Sequence, residues 1–114
     1  MPQQLTLNFP GGSVHFALPL PAVQKLESEL QTLIEHLRVA GSQTGKKRPQ
    51  PSMDYLFNDG VRVELFCNPN LWASPFAAKV LLTLKSEQVR LSVEVELSQL
   101  REDLQQYLQN VATP

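Results

Sequence analysis

The sequence predicts an α+β fold: an antiparallel sheet built of hairpins, with two amphipathic helices packed on one face. Three observations carry this prediction. Short segments alternate apolar and polar residues, which is the period of a half-buried strand. Two longer segments repeat apolar residues at helical spacing, and turn-forming residues separate neighbouring strands. The element order is ββαββββα, and one sheet covered by both helices is the economical arrangement for it.

The first hairpin is predicted from alternation on both sides of Pro10-Gly11-Gly12. Its glycines supply the positive φ that a tight turn needs. The two apolar sets are Leu5, Leu7 and Phe9, then Val14, Phe16 and Leu18.

The first helix is predicted to begin near Pro21, which suits a first helical turn, and to end at a Gly41 cap. Residues 41–52 follow and contain no bulky apolar side chain. We interpret them as a flexible basic linker inside a single domain of residues 1–114. The apolar stripe of the helix is Val23, Leu26, Leu30, Leu33, Ile34 and Leu37.

The second hairpin turns at Asn58-Asp59-Gly60. A three-residue loop makes Phe57 face Val61 and keeps the apolar side chains on one side, whereas a one-residue slip would turn them outward. We therefore predict that register, with Gly60 in the left-handed region.

The third hairpin spans 79–97 and turns around 86–88, where a two-residue and a four-residue loop preserve the facing equally well. Ser98 is the predicted N-cap of the last helix. The apolar stripe of that helix is Leu100, Leu104, Tyr107, Leu108 and Val111.

One sheet face is predicted to be polar, but Leu56, Phe66 and Leu81 interrupt it. Exposed apolar residues of this kind are a first indication of a partner. The polar side chains assigned to this face are Arg62, Glu64, Lys79, Thr83, Lys85, Arg90, Ser92, Glu94 and Glu96.

The loop 68–76 carries the only tryptophan and is unusually apolar for a connection between strands. Trp72 and Phe76 fold back over the core, anchor a partner protein, or line a small-molecule pocket. Our main hypothesis is a non-enzymatic protein–protein interaction module, acting as an adaptor, assembly factor or small regulator. Its predicted contacts are Leu71, Trp72 and Phe76, with Phe66 supporting them.

The alternative is an RNA- or DNA-associated protein that uses Lys46, Lys47 and Arg48 together with Arg62 and Arg90. The formal net charge of −1 disfavours it, and so does the lack of a nearby aromatic outside the core, since nucleic-acid surfaces are usually basic and stack bases. A homodimer is compatible with either function, because sheet edges invite self-pairing.

No catalytic or metal-binding pattern stands out. His15 and His36 have no partner at ligand spacing, and Glu94 with Glu96 is best explained as a surface charge ladder. We expect no enzyme activity, metal or cofactor.

A reducing, cytoplasmic setting is expected because Cys67 is the only cysteine, so no internal disulfide can form. Cys67 is predicted to be a small buried residue. We find neither a signal-peptide pattern nor a continuous apolar run long enough to span a bilayer.

Two runs of the chain carry a resemblance: Asp59-Gly60-Val61-Arg62-Val63-Glu64-Leu65-Phe66-Cys67-Asn68-Pro69 and Glu96-Leu97-Ser98-Gln99-Leu100-Arg101-Glu102-Asp103-Leu104-Gln105-Gln106-Tyr107-Leu108. They resemble small uncharacterised proteins of cyanobacteria. The resemblance covers the C-terminal half of the chain. It implies a tie to housekeeping or photosynthetic assembly in such cells and transfers no functional residue.

Overall fold

The computed structural model describes residues 4–112 and confirms the α+β fold and the order ββαββββα. Its two helices are α1 (Leu20–Ser42) and α2 (Leu97–Ala112). A short 3₁₀ helix, Pro69–Leu71, follows the fourth strand. The strands are β1 (Gln4–Phe9), β2 (Gly12–Ala17), β3 (Met53–Asp59), β4 (Val61–Cys67), β5 (Lys79–Lys85) and β6 (Arg90–Glu96).

The strands form two sheets, so the expectation of one sheet is wrong. The four later strands pair in chain order, β3-β4-β5-β6, and every pairing is antiparallel. The first hairpin forms its own sheet. Strand β1 lies near β6 and packs against α2, but it does not pair with β6 and so is not part of the four-stranded sheet. Both sheets and both helices nevertheless bury their apolar sides in one continuous core.

The second hairpin has a different register from the predicted one. Phe57 pairs with Val63 rather than Val61, a displacement of two residues. Because strand side chains alternate with a period of two, this displacement keeps every apolar residue on its predicted face. Gly60 has φ 77°, in the left-handed region as predicted.

The third hairpin uses the four-residue alternative. Lys85 pairs with Arg90, and the Ser86 N–H donates to the Val89 carbonyl at 2.8 Å to close the loop. On the outer face of this sheet Leu56, Phe66 and Leu81 are exposed, as the alternation predicts. Thr83 lies on the same face but is buried among its neighbours, contrary to expectation.

Two predicted helix caps are wrong. Helix α1 continues through Gly41 to Ser42, and α2 begins at Leu97, before Ser98. Gly41 meets a packing requirement instead: a Cβ there would lie 2.6 Å from the Ala73 carbonyl oxygen. The glycine therefore lets the end of α1 approach the loop 68–76 closely. Pro21 lies in the first turn of α1, as predicted.

Candidate interaction site

The loop 68–76 is held in place at its start by its own asparagines. The Asn68 side-chain oxygen accepts from the Asn70 backbone N–H at 3.0 Å and from Asn70 Nδ2 at 2.8 Å. Pro69, between them, is buried. These contacts close the 3₁₀ helix Pro69–Leu71, and the short helix turns Leu71 outward, where it is 73% exposed.

Asn70 also joins the loop to the segment that follows α1. The Gln50 N–H donates to Asn70 Oδ1 at 2.7 Å, and Asn70 Nδ2 donates to the Gln50 carbonyl at 2.8 Å. The Arg48 N–H donates to Gln43 Oε1 at 2.8 Å. The segment interpreted from the sequence as a linker thus lies against the loop 68–76, with the side chains of Lys46, Lys47 and Arg48 exposed.

Trp72 and Phe76 are placed very differently by the loop. Trp72 is half-buried and packs against the core. Phe76 is 91% exposed. The interpretation that both side chains fold back over the core is therefore correct for Trp72 and wrong for Phe76.

The four predicted contact residues do not form one continuous patch. Trp72 lines a cleft of about 320 Å³ beside the end of α1, and Lys47 and Arg48 line the same cleft. Phe76 lines a different cleft of about 300 Å³, between α1 and the start of α2. Phe66 lies on the outer face of the four-stranded sheet, paired with Leu81. Leu71 and Phe76 are the two most exposed large apolar side chains in residues 4–112.

The basic residues of the nucleic-acid alternative separate into two groups. Arg62 and Arg90 belong to a cross-strand row with Lys85 at the Gly60 end of the sheet. The cleft that Lys47 and Arg48 line also contains Asn70, Trp72 and Ala73, which follow the opposite end of β4. That end of the strand is about 17 Å from Arg62. The structure does place an aromatic ring, Trp72, beside the second group, which the sequence alone did not indicate.

Glu64 partly neutralises the cross-strand row. The Arg62 Nε donates to Glu64 Oε1 at 2.8 Å. This hydrogen bond lowers the pKa of Glu64, and the positive charges of Arg62, Lys85 and Arg90 lower it further. The row is a compact positive region on an otherwise mixed surface. Lys85 belongs to it, although Lys85 was not among the residues predicted from the sequence to bind nucleic acid.

The buried titratable groups serve packing. Burial raises the pKa of Cys67 to about 11, against the opposing effect of the Trp72 hydrogen bond, so the thiol stays protonated at neutral pH. The Tyr55 hydroxyl donates to the Ala22 carbonyl at 2.9 Å, and burial, with the Glu29 charge, raises its pKa to about 12. The buried Tyr107 hydroxyl donates to the Leu18 carbonyl at 2.7 Å. Cys67 is the small buried residue that the sequence predicts.

Asp103 makes a buried connection that sequence reasoning missed. Its carboxylate accepts from the Asn8 backbone N–H at 2.8 Å, from Asn8 Nδ2 at 2.9 Å and from Gln99 Nε2 at 3.0 Å. The two bonds from Asn8 fasten the first hairpin to α2, and the bond from Gln99 lies within α2. A signal was present in the sequence, because Asp103 lies three residues after Leu100 and four before Tyr107, on the apolar stripe of the helix.

The remaining polar residues do not assemble into a reaction centre. His15 hydrogen-bonds Thr6 through its Nδ1 at 2.9 Å, and Glu94 and Glu96 are exposed on β6. Among residues 4–112, no group of three or more histidine, cysteine or acidic residues is close enough to hold a metal ion. Neither α1 nor α2, in the part described, is long and apolar enough to cross a membrane.

Comparisons with protein-family models, curated protein sequences and solved structures found no match to this chain. The resemblance to small cyanobacterial proteins therefore stays a prediction. What the loop can do follows from its geometry alone: it presents two large apolar side chains to solvent from a backbone fastened at several points.

Proposed function

We propose that the chain is a non-enzymatic protein-binding module, an adaptor, assembly factor or small regulator, that holds a cytoplasmic partner through the loop 68–76. The observation that carries this proposal is the 91% exposure of Phe76 on a loop fastened by hydrogen bonds. When a partner covers an exposed phenylalanine on an ordered backbone, burial of that side chain contributes about 1.5–3 kcal/mol to the binding free energy. Leu71, Trp72 and Phe66 are its proposed supporting contacts.

The ordering of the loop matters as much as its composition. A loop that is already ordered loses little conformational entropy on binding, so more of the contact energy appears as affinity. The Asn70 contacts to Gln50 and the close approach of Ala73 to Gly41 supply that order. Aromatic residues are enriched at protein interfaces, so Phe76 is the proposed anchor and Leu71 adds apolar area beside it.

Replacing Phe76 and Leu71 together by alanine is expected to weaken partner binding by about 3 kcal/mol, roughly 100-fold, while leaving the melting temperature within a few degrees of wild type. The matched control is Val89→Ala, which removes an apolar side chain that is 63% exposed, on the third hairpin loop. A photoreactive phenylalanine analogue at position 76, compared with one at position 89, identifies the protein that touches the loop. Equal cross-linking at both positions, or unchanged binding by the double variant, would contradict the proposal.

A second candidate function is association with single-stranded nucleic acid. The observation that favours it is the cleft that Trp72, Lys47 and Arg48 line together. An aromatic ring flanked by cations is the combination that stacks a base while neutralising its phosphates.

This candidate predicts that single-stranded RNA quenches the fluorescence of Trp72, the only tryptophan, with an affinity that falls steeply as salt rises. Lys47→Ala/Arg48→Ala is expected to weaken binding about tenfold or more. Lys85→Ala/Arg90→Ala removes the same charge at the other end of the sheet and is expected to change binding little. Equal losses in both variants would indicate non-specific attraction, and an absence of quenching would exclude this cleft.

A further inference from the structure

The two edges of the four-stranded sheet are in different situations. Strand β1 lies near β6 without pairing with it. On the other side, β3 pairs with β4 and contacts helix α1, and its far edge pairs with no strand of the described chain. A free strand edge presents unpaired N–H and C=O groups and is a template for another strand.

Strand β3 lacks most of the features that usually keep an edge unpaired, although Asp54 and Asp59 are charged. Its seven residues, Met53–Asp59, include no lysine, arginine or proline. Its register with β4 runs through all seven pairs without a bulge. The free edge of β2 is less suited to pairing, because that strand is shorter, begins with Gly12-Ser13 and exposes no large apolar side chain.

We propose that β3 pairs with β3 of a second copy of this chain, antiparallel about a two-fold axis at Leu56, so that the two four-stranded sheets become one continuous sheet. This interface uses none of the residues of the loop 68–76 proposed above for a partner protein, although Phe66, its proposed supporting contact, lies on the same sheet face as Leu56.

The side chains of β3 are complementary to themselves in this register. On the outer face Leu56 meets Leu56 of the second copy, and Asp54 meets its Asn58. On the inner face Tyr55, already buried within its own chain, is opposite Phe57, and Met53 is opposite Asp59 at each end of the pairing. This is the two-fold register that pairs all seven residues.

Other registers are less favourable. Moving the axis to Asp54 opposes two carboxylates, which is destabilising. Placing the axis between two residues sets the outer face of one copy against the inner face of the other. A second copy is therefore a better fit to this edge than an arbitrary strand, because the outer-face residues Asp54, Leu56 and Asn58 match by symmetry.

The exposed apolar residues of the outer face support the same axis. Leu56 is 50% exposed at the edge strand, and Phe66 and Leu81 are each 43% exposed as a directly opposed pair on β4 and β5. Leu56 pairs with Glu64, so Phe66 is its diagonal neighbour. Leu56, Phe66 and Leu81 form an apolar strip in each copy. Pairing at Leu56 would place the two strips end to end and cover the Leu56 side chains at their ends.

The test is the mass of the protein in solution, measured by light scattering after size exclusion from about 10 to 200 µM. Wild type is expected to approach twice the 12.8 kDa of one chain as concentration rises. Leu56→Lys is expected to be a monomer, since two lysines would meet at the axis. Within one chain that lysine faces Glu64, so the fold is expected to tolerate it. The control Leu81→Lys, whose neighbour on β6 is Glu94, is expected to dimerise like wild type.

Cysteine cross-linking checks the axis directly, because the native Cys67 is buried. Opposed residues of antiparallel strands lie about 4.5–5.5 Å apart at Cα, within disulfide range. Under mild oxidation Leu56→Cys is expected to form a covalent dimer and Leu81→Cys is not. A wild type that stays monomeric at 200 µM, or equal behaviour of the two lysine variants, would overturn the proposal. These measurements do not involve Phe76, so their failure leaves the partner-binding proposal standing.

Discussion

Replacement of Trp72 by alanine is expected to lower the free energy of unfolding by about 2–3 kcal/mol and the melting temperature by about 10 °C or more. Trp72 is half-buried, and its ring packs against the core. Alanine would remove that apolar contact. Thermal and urea unfolding monitored by circular dichroism measure the effect.

The matched control for this prediction is Phe76→Ala in the same loop. Phe76 contacts so little of the protein that its removal is expected to change the free energy of unfolding by less than about 0.5 kcal/mol. If the two variants had equal stability, Trp72 would not be the anchor of the loop, and the packing described for it would be wrong.

This difference between neighbouring aromatics decides how binding experiments should be interpreted. A Trp72→Ala variant that loses its partner does not identify a contact, because the loop itself would loosen when its anchor is removed. Loss of binding in Phe76→Ala/Leu71→Ala, with stability unchanged, does identify one. For that reason Phe76 and Leu71 are better test positions than the tryptophan that first draws attention in the sequence.

The strands and their faces could be predicted because burial on one side of a sheet imposes a period of two. Register could not be predicted in the same way. Phe57 facing Val61 and Phe57 facing Val63 differ by two residues, so both place the apolar side chains inward, and the pattern cannot distinguish them. The longer pairing, which also joins Asp59 to Val61, is the one adopted.

Features that depend on contacts between distant segments were also beyond the sequence pattern. Gly41 reads as a helix cap, yet its role is to admit the Ala73 carbonyl, which is distant in sequence. The separation of the first hairpin from the main sheet likewise depends on where β1 meets α2. In the loop 68–76 no periodicity exists, so nothing in the sequence distinguishes the anchor Trp72 from the exposed Phe76.

Asp103→Ala is expected to destabilise the protein by about 2–3 kcal/mol through loss of the fastening between α2 and the first hairpin. The buried carboxylate accepts three hydrogen bonds, two of them from Asn8. Hydrogen bonds to a charged group contribute about 1.5–3 kcal/mol each when their loss leaves a buried donor unsatisfied. Asn8 is exposed, so water can bond to it in the variant and offset part of this loss.

The neighbouring carboxylate provides the control. Glu102 lies on the exposed side of α2, so Glu102→Ala removes the same charge and is expected to change stability by less than about 0.5 kcal/mol. Asp103→Asn keeps one acceptor oxygen and is expected to fall between the two. Hydrogen exchange distinguishes local from global loss: the expected pattern is the largest acceleration at the β1 and β2 amides, with a smaller acceleration of the core amides that follows from the lower global stability. Equal stability of Asp103→Ala and Glu102→Ala would show that apolar packing by Leu5 and Leu7 holds the hairpin without the carboxylate.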